Sequence, residues 1–193
     1  MAILVLGLVI FLGLHSTRIV SESGRERAIA RFGEEGWKGI YSALSAIGFI
    51  LIVWGFARAR HAAPQLWTPP SWGRHVAMLL MLLSLLLLAS YLFKRSHIAA
   101  WVHHPMLWAV VLWSAGHLIA NGSAADLVLF GAFLVWSIAD LASSYARDRR
   151  IGLVYPKPEP AATAGAVAAG LVAYGILLGG LHAWLFGVSP LAG

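Results

Sequence analysis

The stretch HVAMLLMLLSLLLLASYLF, residues 75–93, decides the fold, because it holds no acidic or basic side chain beyond His75 at its edge. A bilayer-crossing helix needs roughly 20 mostly apolar residues, and this run supplies them. Working outward, five more apolar runs occupy residues 2–16, 37–57, 105–121, 124–145 and 163–186. The whole 193-residue chain is 60% hydrophobic and 11% charged, with a mean hydropathy of +0.78, too apolar for a soluble domain of this size. The expectation is an all-α integral membrane bundle of about six transmembrane helices, forming a single domain over residues 1–193.

The first run reads as a retained helix rather than a secretory signal, since no Lys or Arg precedes it and no small-residue cleavage site follows. Basic residues set the orientation. The connections after runs one, three and five hold Arg18, Arg25, Arg27, Arg31, Lys38, Lys94, Arg95, Arg147, Arg149, Arg150 and Lys157, against Arg58, Arg60 and Arg74 after runs two and four. Basic loops stay cytoplasmic, so both termini are expected on the other side. The net charge of +6 reflects this bias toward an anionic leaflet, and no aromatic-basic pattern points to nucleic acid. With no cysteine, disulfides, thiolate nucleophiles, iron–sulfur clusters and covalent haem attachment are all excluded.

The connections have characters of their own. Residues 17–36 interleave arginines with Glu22, Glu26, Glu34 and Glu35, as a solvated interfacial helix does. Residues 61–73 carry Pro64, Pro69, Pro70, Trp67 and Trp72, which predicts a rigid, non-helical cap at the membrane surface. Pro156, Pro158 and Pro160 stiffen the linker before the last run.

Polar residues inside the runs define faces at helical spacing. The fourth run aligns Val110, Trp113, Ser114, His117 and Asn121, a polar stripe that must look inward. The fifth aligns Asp126, Phe130, Phe133, Ser137, Asp140 and Ser144, so both carboxylates are expected to point inward. Gly175, Gly179 and His182 form a small-residue seam on the sixth, and Ser45, Gly48 and Gly55 another on the second; each is expected to admit a neighbouring helix closely. The first run places Leu8, Phe11, Leu12 and His15 together.

Intramembrane ionisable residues mark functional sites by default, which singles out His15 and His117. A lone histidine in such a place often only hydrogen-bonds across to a neighbouring carbonyl or hydroxyl, for about 0.6 to 2 kcal/mol. His61, His75 and His97 lie at run borders and read as surface residues, as does His182 beside Trp184. Asp140 reads equally as a functional group or as an ion-pair partner of Arg147 or Arg18. Two imidazoles from different helices, each deep in apolar surroundings, suit haem b, which needs neutral nitrogen donors and greasy walls. No H-x-x-x-H or H-x-x-E spacing suggests zinc, and no G-x-S-x-G elbow suggests a serine nucleophile. The topology puts His15 and His117 at depths differing by roughly 10 Å at 1.5 Å per residue. His104 or a water is therefore an alternative second iron partner, with Ser114 and Asn121 placed to orient the His117 ring.

The stretches Gly13-Leu14-His15-Ser16-Thr17-Arg18, Trp37-Lys38-Gly39-Ile40-Tyr41-Ser42, Leu66-Trp67-Thr68-Pro69-Pro70, His104-Pro105-Met106-Leu107 and His117-Leu118-Ile119-Ala120-Asn121-Gly122 resemble, in order, the NnrU family of bacterial integral membrane proteins. The likeness runs on to the closing motif from Gly180 to Pro190. It implies a bacterial inner-membrane protein associated with denitrification and nitric oxide metabolism, without a settled activity. The same domain is similar to the zeta-carotene cis–trans isomerase, whose family uses haem b; the ligand positions implied are His15 and His117. A cysteine implicated in that relative falls near Ser114 here, so thiolate ligand switching is not implied for this chain. The leading reading is a haem b-binding membrane protein of nitrogen-oxide or redox metabolism, working with a membrane redox partner. The alternative is a haem-dependent isomerase acting on a polyene dissolved in the bilayer, and a third is a cofactor-free partner subunit.

Overall fold

The computed structural model describes residues 1–191, and its regular elements are helices. They are α1 (Ala2–His15), α2 (Thr17–Val20), α3 (Glu22–Ala59), α4 (Gly73–Leu92), α5 (His97–Val102), α6 (Pro105–Ala120), α7 (Ala124–Ile151), α8 (Pro160–Ile176), a π-helical turn (Leu177–Leu181) and α9 (His182–Phe186). Among the described residues the only strand-like pairing is an isolated bridge between Gln65 and Ser123. The six expected apolar helices are present. Four of them, at Ser23–Ala59, Gly73–Leu92, Ala124–Ile151 and Pro160–Phe186, are long and apolar enough to cross a membrane. The other two, α1 with 14 residues and α6 with 16, rise only about 21 and 24 Å, short of a hydrocarbon core about 30 Å thick.

The chain forms two compact units, one of Met1–Thr68 with Gly122–Ser143 and the other of Pro69–Asn121 with the residues from Ser144 on. In the first unit α1 lies antiparallel against α3, backbone close to backbone. A β-carbon on Gly55 would stand 2.4 Å from the Leu4 nitrogen, one on Gly48 2.9 Å from the Phe11 nitrogen, and one on Gly7 2.6 Å from the Ile52 nitrogen. The small-residue seam read on the second run is therefore real, and α1 fills it. Leu4, Leu8 and Ile52 are buried along the contact, while Phe49, Ile50, Val53 and Trp54 face outward, where lipid rather than water suits them.

Helix α3 starts where Ser21 accepts a hydrogen bond from the Gly24 N–H at 2.9 Å. It bends at Gly33, whose φ of 74° and ψ of 166° favour glycine. The kink falls near the end of the charged stretch expected as an interfacial helix, leaving Glu34 and Glu35 on the same side as the apolar span. Residues 61–72 are irregular, as their prolines require. Their chain is clamped to the start of α7: the Leu66 and Trp67 N–H groups donate to the Gly122 carbonyl, and the Ala124 N–H to the Pro64 carbonyl. Ser123 and Asp126 then cap α7 reciprocally. The Ser123 hydroxyl and N–H both donate to the Asp126 carboxylate, and the Asp126 N–H returns to the Ser123 oxygen. The Asp126 carboxylate, expected to point into the bundle, is bonded to Ser123 and holds the helix end.

In the second unit α4 packs antiparallel to both α6 and α8. Gly116 approaches Leu80 and Ala77, Gly73 meets the Ile119 carbonyl, and the Ser84 hydroxyl donates to the Ala109 carbonyl at 2.8 Å. Gly165 lies under the Phe93 ring and Gly170 against Leu86. The seam expected at Gly175 and Gly179 is corrected: nothing stands within 4 Å of a β-carbon at either position, and the close approach occurs earlier in the helix, at Gly165 and Gly170. Gly175 lies on the regular part of α8 with no neighbour beside it, and past Ile176 the helix widens into a π turn and breaks at Gly180, whose φ is 133°. Helix α8 begins at Pro160, tied back by the Arg95–Glu159 ion pair at 2.8 Å and by the His97 N–H donating to the Thr163 hydroxyl.

Candidate functional site

In the first unit His15 is the last residue of α1. Its Nδ1 lies 2.7 Å from the Phe11 carbonyl oxygen, one helical turn back. A carbonyl only accepts, so the neutral ring carries its proton on Nδ1 and presents a lone pair at Nε2. Aromatic rings wall it in: Phe11 stacks at 4.2 Å, Tyr41 is tilted at 5.3 Å, and Trp136 meets it edge-on at 6.1 Å. Phe49 and Phe133 lie next to Phe11, with ring centres 6.4 and 6.0 Å from it. The Trp136 indole N–H and the Ser45 hydroxyl are buried without a protein hydrogen-bond partner. Buried polar groups are nearly always satisfied, so such orphans point to a ligand or an ordered water.

The second unit repeats the arrangement. His117 sits in the last turn of α6, its Nδ1 2.8 Å from the Trp113 carbonyl and its ring 5.4 Å from the Trp113 ring. Ser114, fully buried and one turn earlier, has no partner for its hydroxyl. The Asn121 amide was expected to orient the His117 ring; instead it donates to the His117 main-chain carbonyl at 2.8 Å and closes the end of α6. The ring is oriented by the backbone of its own helix. Metal-ligating histidines are commonly set this way, with the second nitrogen donating to a carbonyl.

His104 has a different environment. It is the residue that precedes α6, with Pro105 in the first turn, and its Nε2 lies 2.7 Å from Asp148 Oδ2. The Tyr155 hydroxyl donates to the same carboxylate oxygen. His104 was the alternative iron partner, and this contact leaves only its Nδ1 unengaged by the carboxylate. Among the described residues no group of three or more His, Asp or Glu side chains is arranged to hold a metal ion directly. His61 and His75 are exposed, His97 is bonded to Thr163, and His182 Nδ1 reaches the Val188 carbonyl at 2.7 Å, all in keeping with surface and capping roles.

Sequence reading missed the Asp148–Tyr155 partnership of His104 and the Trp136 edge against His15, because those pairs are far apart in the chain and no fixed spacing announces them. The cap at Ser123 and Asp126 was missed as well, although S-x-x-D before an apolar run is its signature.

Helices of this length and apolar composition define a multi-pass α-helical membrane protein. The family model described as NnrU protein matches residues 3–190, and the chain belongs to the NnrU family. No curated protein and no solved structure matches it.

Proposed function

We propose that this chain is a haem b-binding protein of the bacterial inner membrane with a role in nitrogen-oxide or redox metabolism, and that His15 and His117 are iron ligands. One observation carries the reading. His15 closes one short apolar helix and His117 lies in the last turn of the other, and both fix the ring through Nδ1 on the carbonyl four residues back, which puts the ring lone pair on Nε2. The residues fit the group in two further respects. Flat aromatic walls around His15 suit a porphyrin face, and the unpartnered Trp136 N–H and Ser114 hydroxyl are hydrogen-bond donors in otherwise apolar settings. When bound, haem b supplies a one-electron centre. The chain's own contribution is to orient the imidazoles and keep water from them. The nitrogen-oxide assignment rests on the resemblance to the NnrU family.

The test is a pyridine haemochrome assay on protein expressed with added haem precursor and purified in mild detergent. Haem b in near-stoichiometric amount is expected. A colourless protein with an intact fold refutes the reading.

A further inference from the structure

A cavity of about 400 Å³ lies in the first unit where α1 and α2 meet the first turns of α3, and the haem reading does not use it. Gly13, Ser16, Thr17 and Val20 form one wall. Ser16 keeps helical dihedrals and joins α1 to α2, so the i, i+3, i+4, i+7 spacing puts these four on one side of the helical path and His15 on the other. Arg25 and Ala28 line the cavity from α3, together with Trp37, a residue type favoured at the membrane–water interface. At 100° per residue Arg25 shares the face of α3 that carries Ala28, Ile29 and Phe32, whereas Arg27 and Arg31 lie to the flank. A guanidinium beside a cavity and among apolar side chains is placed to hold an oxyanion, whose oxygens match its paired N–H groups.

The surroundings say which anion. Before the bend at Gly33 the segment carries Arg18, Arg25, Arg27 and Arg31 against only Glu22 and Glu26. Beyond it Glu34 and Glu35 both bond Lys38 at 3.0 Å, so the positive excess lies on the Arg25 side of the bend. Large apolar side chains stand exposed among these charges, Val20 at 81% and Phe32 at 50%. Arginines mixed with exposed apolar groups, next to a membrane-crossing helix, suit the headgroup layer of an anionic leaflet. We propose that the cavity binds the headgroup phosphate of an anionic phospholipid of the phosphatidylglycerol kind, with Arg25 holding the phosphate. Thr17 offers a hydroxyl donor on the opposite wall, since the Ser16 hydroxyl already donates to the Leu12 carbonyl at 2.7 Å. Arg18, Arg27 and Arg31 attract the net charge, and Val20 and Phe32 meet the acyl chains. A zwitterionic lipid brings the same phosphate with an ammonium group that the arginines repel. A free phosphate brings the charge without chains for the apolar side chains to cover.

The experiment is native mass spectrometry of the full chain, released from detergent after titration with phosphatidylglycerol or with phosphatidylcholine of the same acyl chains. The parent is expected to retain phosphatidylglycerol in preference to phosphatidylcholine. Arg25→Gln should weaken phosphatidylglycerol binding about fivefold or more, the effect of one basic residue at an anionic surface, while Arg27→Gln weakens it less. Gly13→Leu changes no charge and fills the cavity, because a β-carbon there meets nothing within 4 Å, and it should weaken binding as Arg25→Gln does. If Arg25→Gln fails to fold, Gly13→Leu still decides. Equal retention of the two lipids, Arg27→Gln as damaging as Arg25→Gln, or Gly13→Leu binding like the parent would overturn the proposal and leave a diffuse basic surface. Displacement of the bound lipid by millimolar inorganic phosphate at constant ionic strength would also overturn it, in favour of a soluble-anion site.

Discussion

A β-carbon on Gly122 would stand 2.0 Å from the Trp67 carbonyl oxygen and 2.7 Å from the Gln65 amide nitrogen. The Trp67 carbonyl has no room to retreat, because Leu66 and Trp67 both donate to the Gly122 carbonyl. Gly122→Ala should therefore cost about 1–3 kcal/mol or more, read as a fall in detergent-solution Tm; a variant that melts like the parent would show the clamp is not formed. Burial, and then the hydrogen bond given to Asp148, push the Tyr155 phenol above its usual range. Between the ordinary phenol value near 10 and the raised one, the unfolded chain has lost this proton while the folded chain keeps it. Stability linked to Tyr155 is thus present below about pH 10 and lost as pH rises beyond it. Tyr155→Phe should flatten that alkaline loss in Tm, and an unchanged alkaline limb would contradict the linkage. At this scale His15 and His117 were legible because an ionisable group in an apolar run is conspicuous. Asp148 and Tyr155 were not, since their partner His104 lies 44 residues before Asp148 and only tertiary folding joins them.

Glycine seams work through helix pairing, and the structure separates those that are used from those that are not. At Gly170 a β-carbon would come within 2.8 Å of Leu86 Cδ2 and 2.9 Å of Leu86 Cα, so Gly170→Leu should push α8 off α4 and lower the Tm by several degrees. Gly179→Leu should melt like the parent, because nothing lies near that position within the chain. The reverse pattern would restore the seam expected at Gly175 and Gly179. Helical periodicity located the α3 seam at Gly48 and Gly55 correctly because α3 is regular there. It failed on the last apolar run for two reasons: periodicity finds a glycine face but not whether a neighbour covers it, as at Gly175, and a π turn shifts the phase after Ile176, ahead of Gly179. The same limit explains α7, which continues to Ile151, past the expected end at residue 145: its last turns are charged, and hydropathy stops where the helix does not.

Across the whole chain, composition alone established an all-α membrane protein, and the basic residues argue a topology. The connections after the first, third and fifth apolar runs carry most of the Lys and Arg, so both termini should lie outside the cytoplasm. A C-terminal alkaline phosphatase fusion should be active and a green fluorescent protein fusion dark; the opposite result would invert the topology. Hydropathy counts apolar runs and cannot tell a 14-residue helix packed on a neighbour from a full crossing, which is why six runs correspond to four helices of crossing length. The two short helices are the ones that carry His15 at the end and His117 in the last turn, and the central claim rests on them. The most direct measurement is the oxidised and reduced absorption spectrum of the purified protein beside His15→Ala, His117→Ala, His61→Ala and His97→Ala. The first two should each lower haem content or change the spin state, and the last two should match the parent. A parent without haem, or a parent with haem whose spectrum survives both His15→Ala and His117→Ala, would contradict the account.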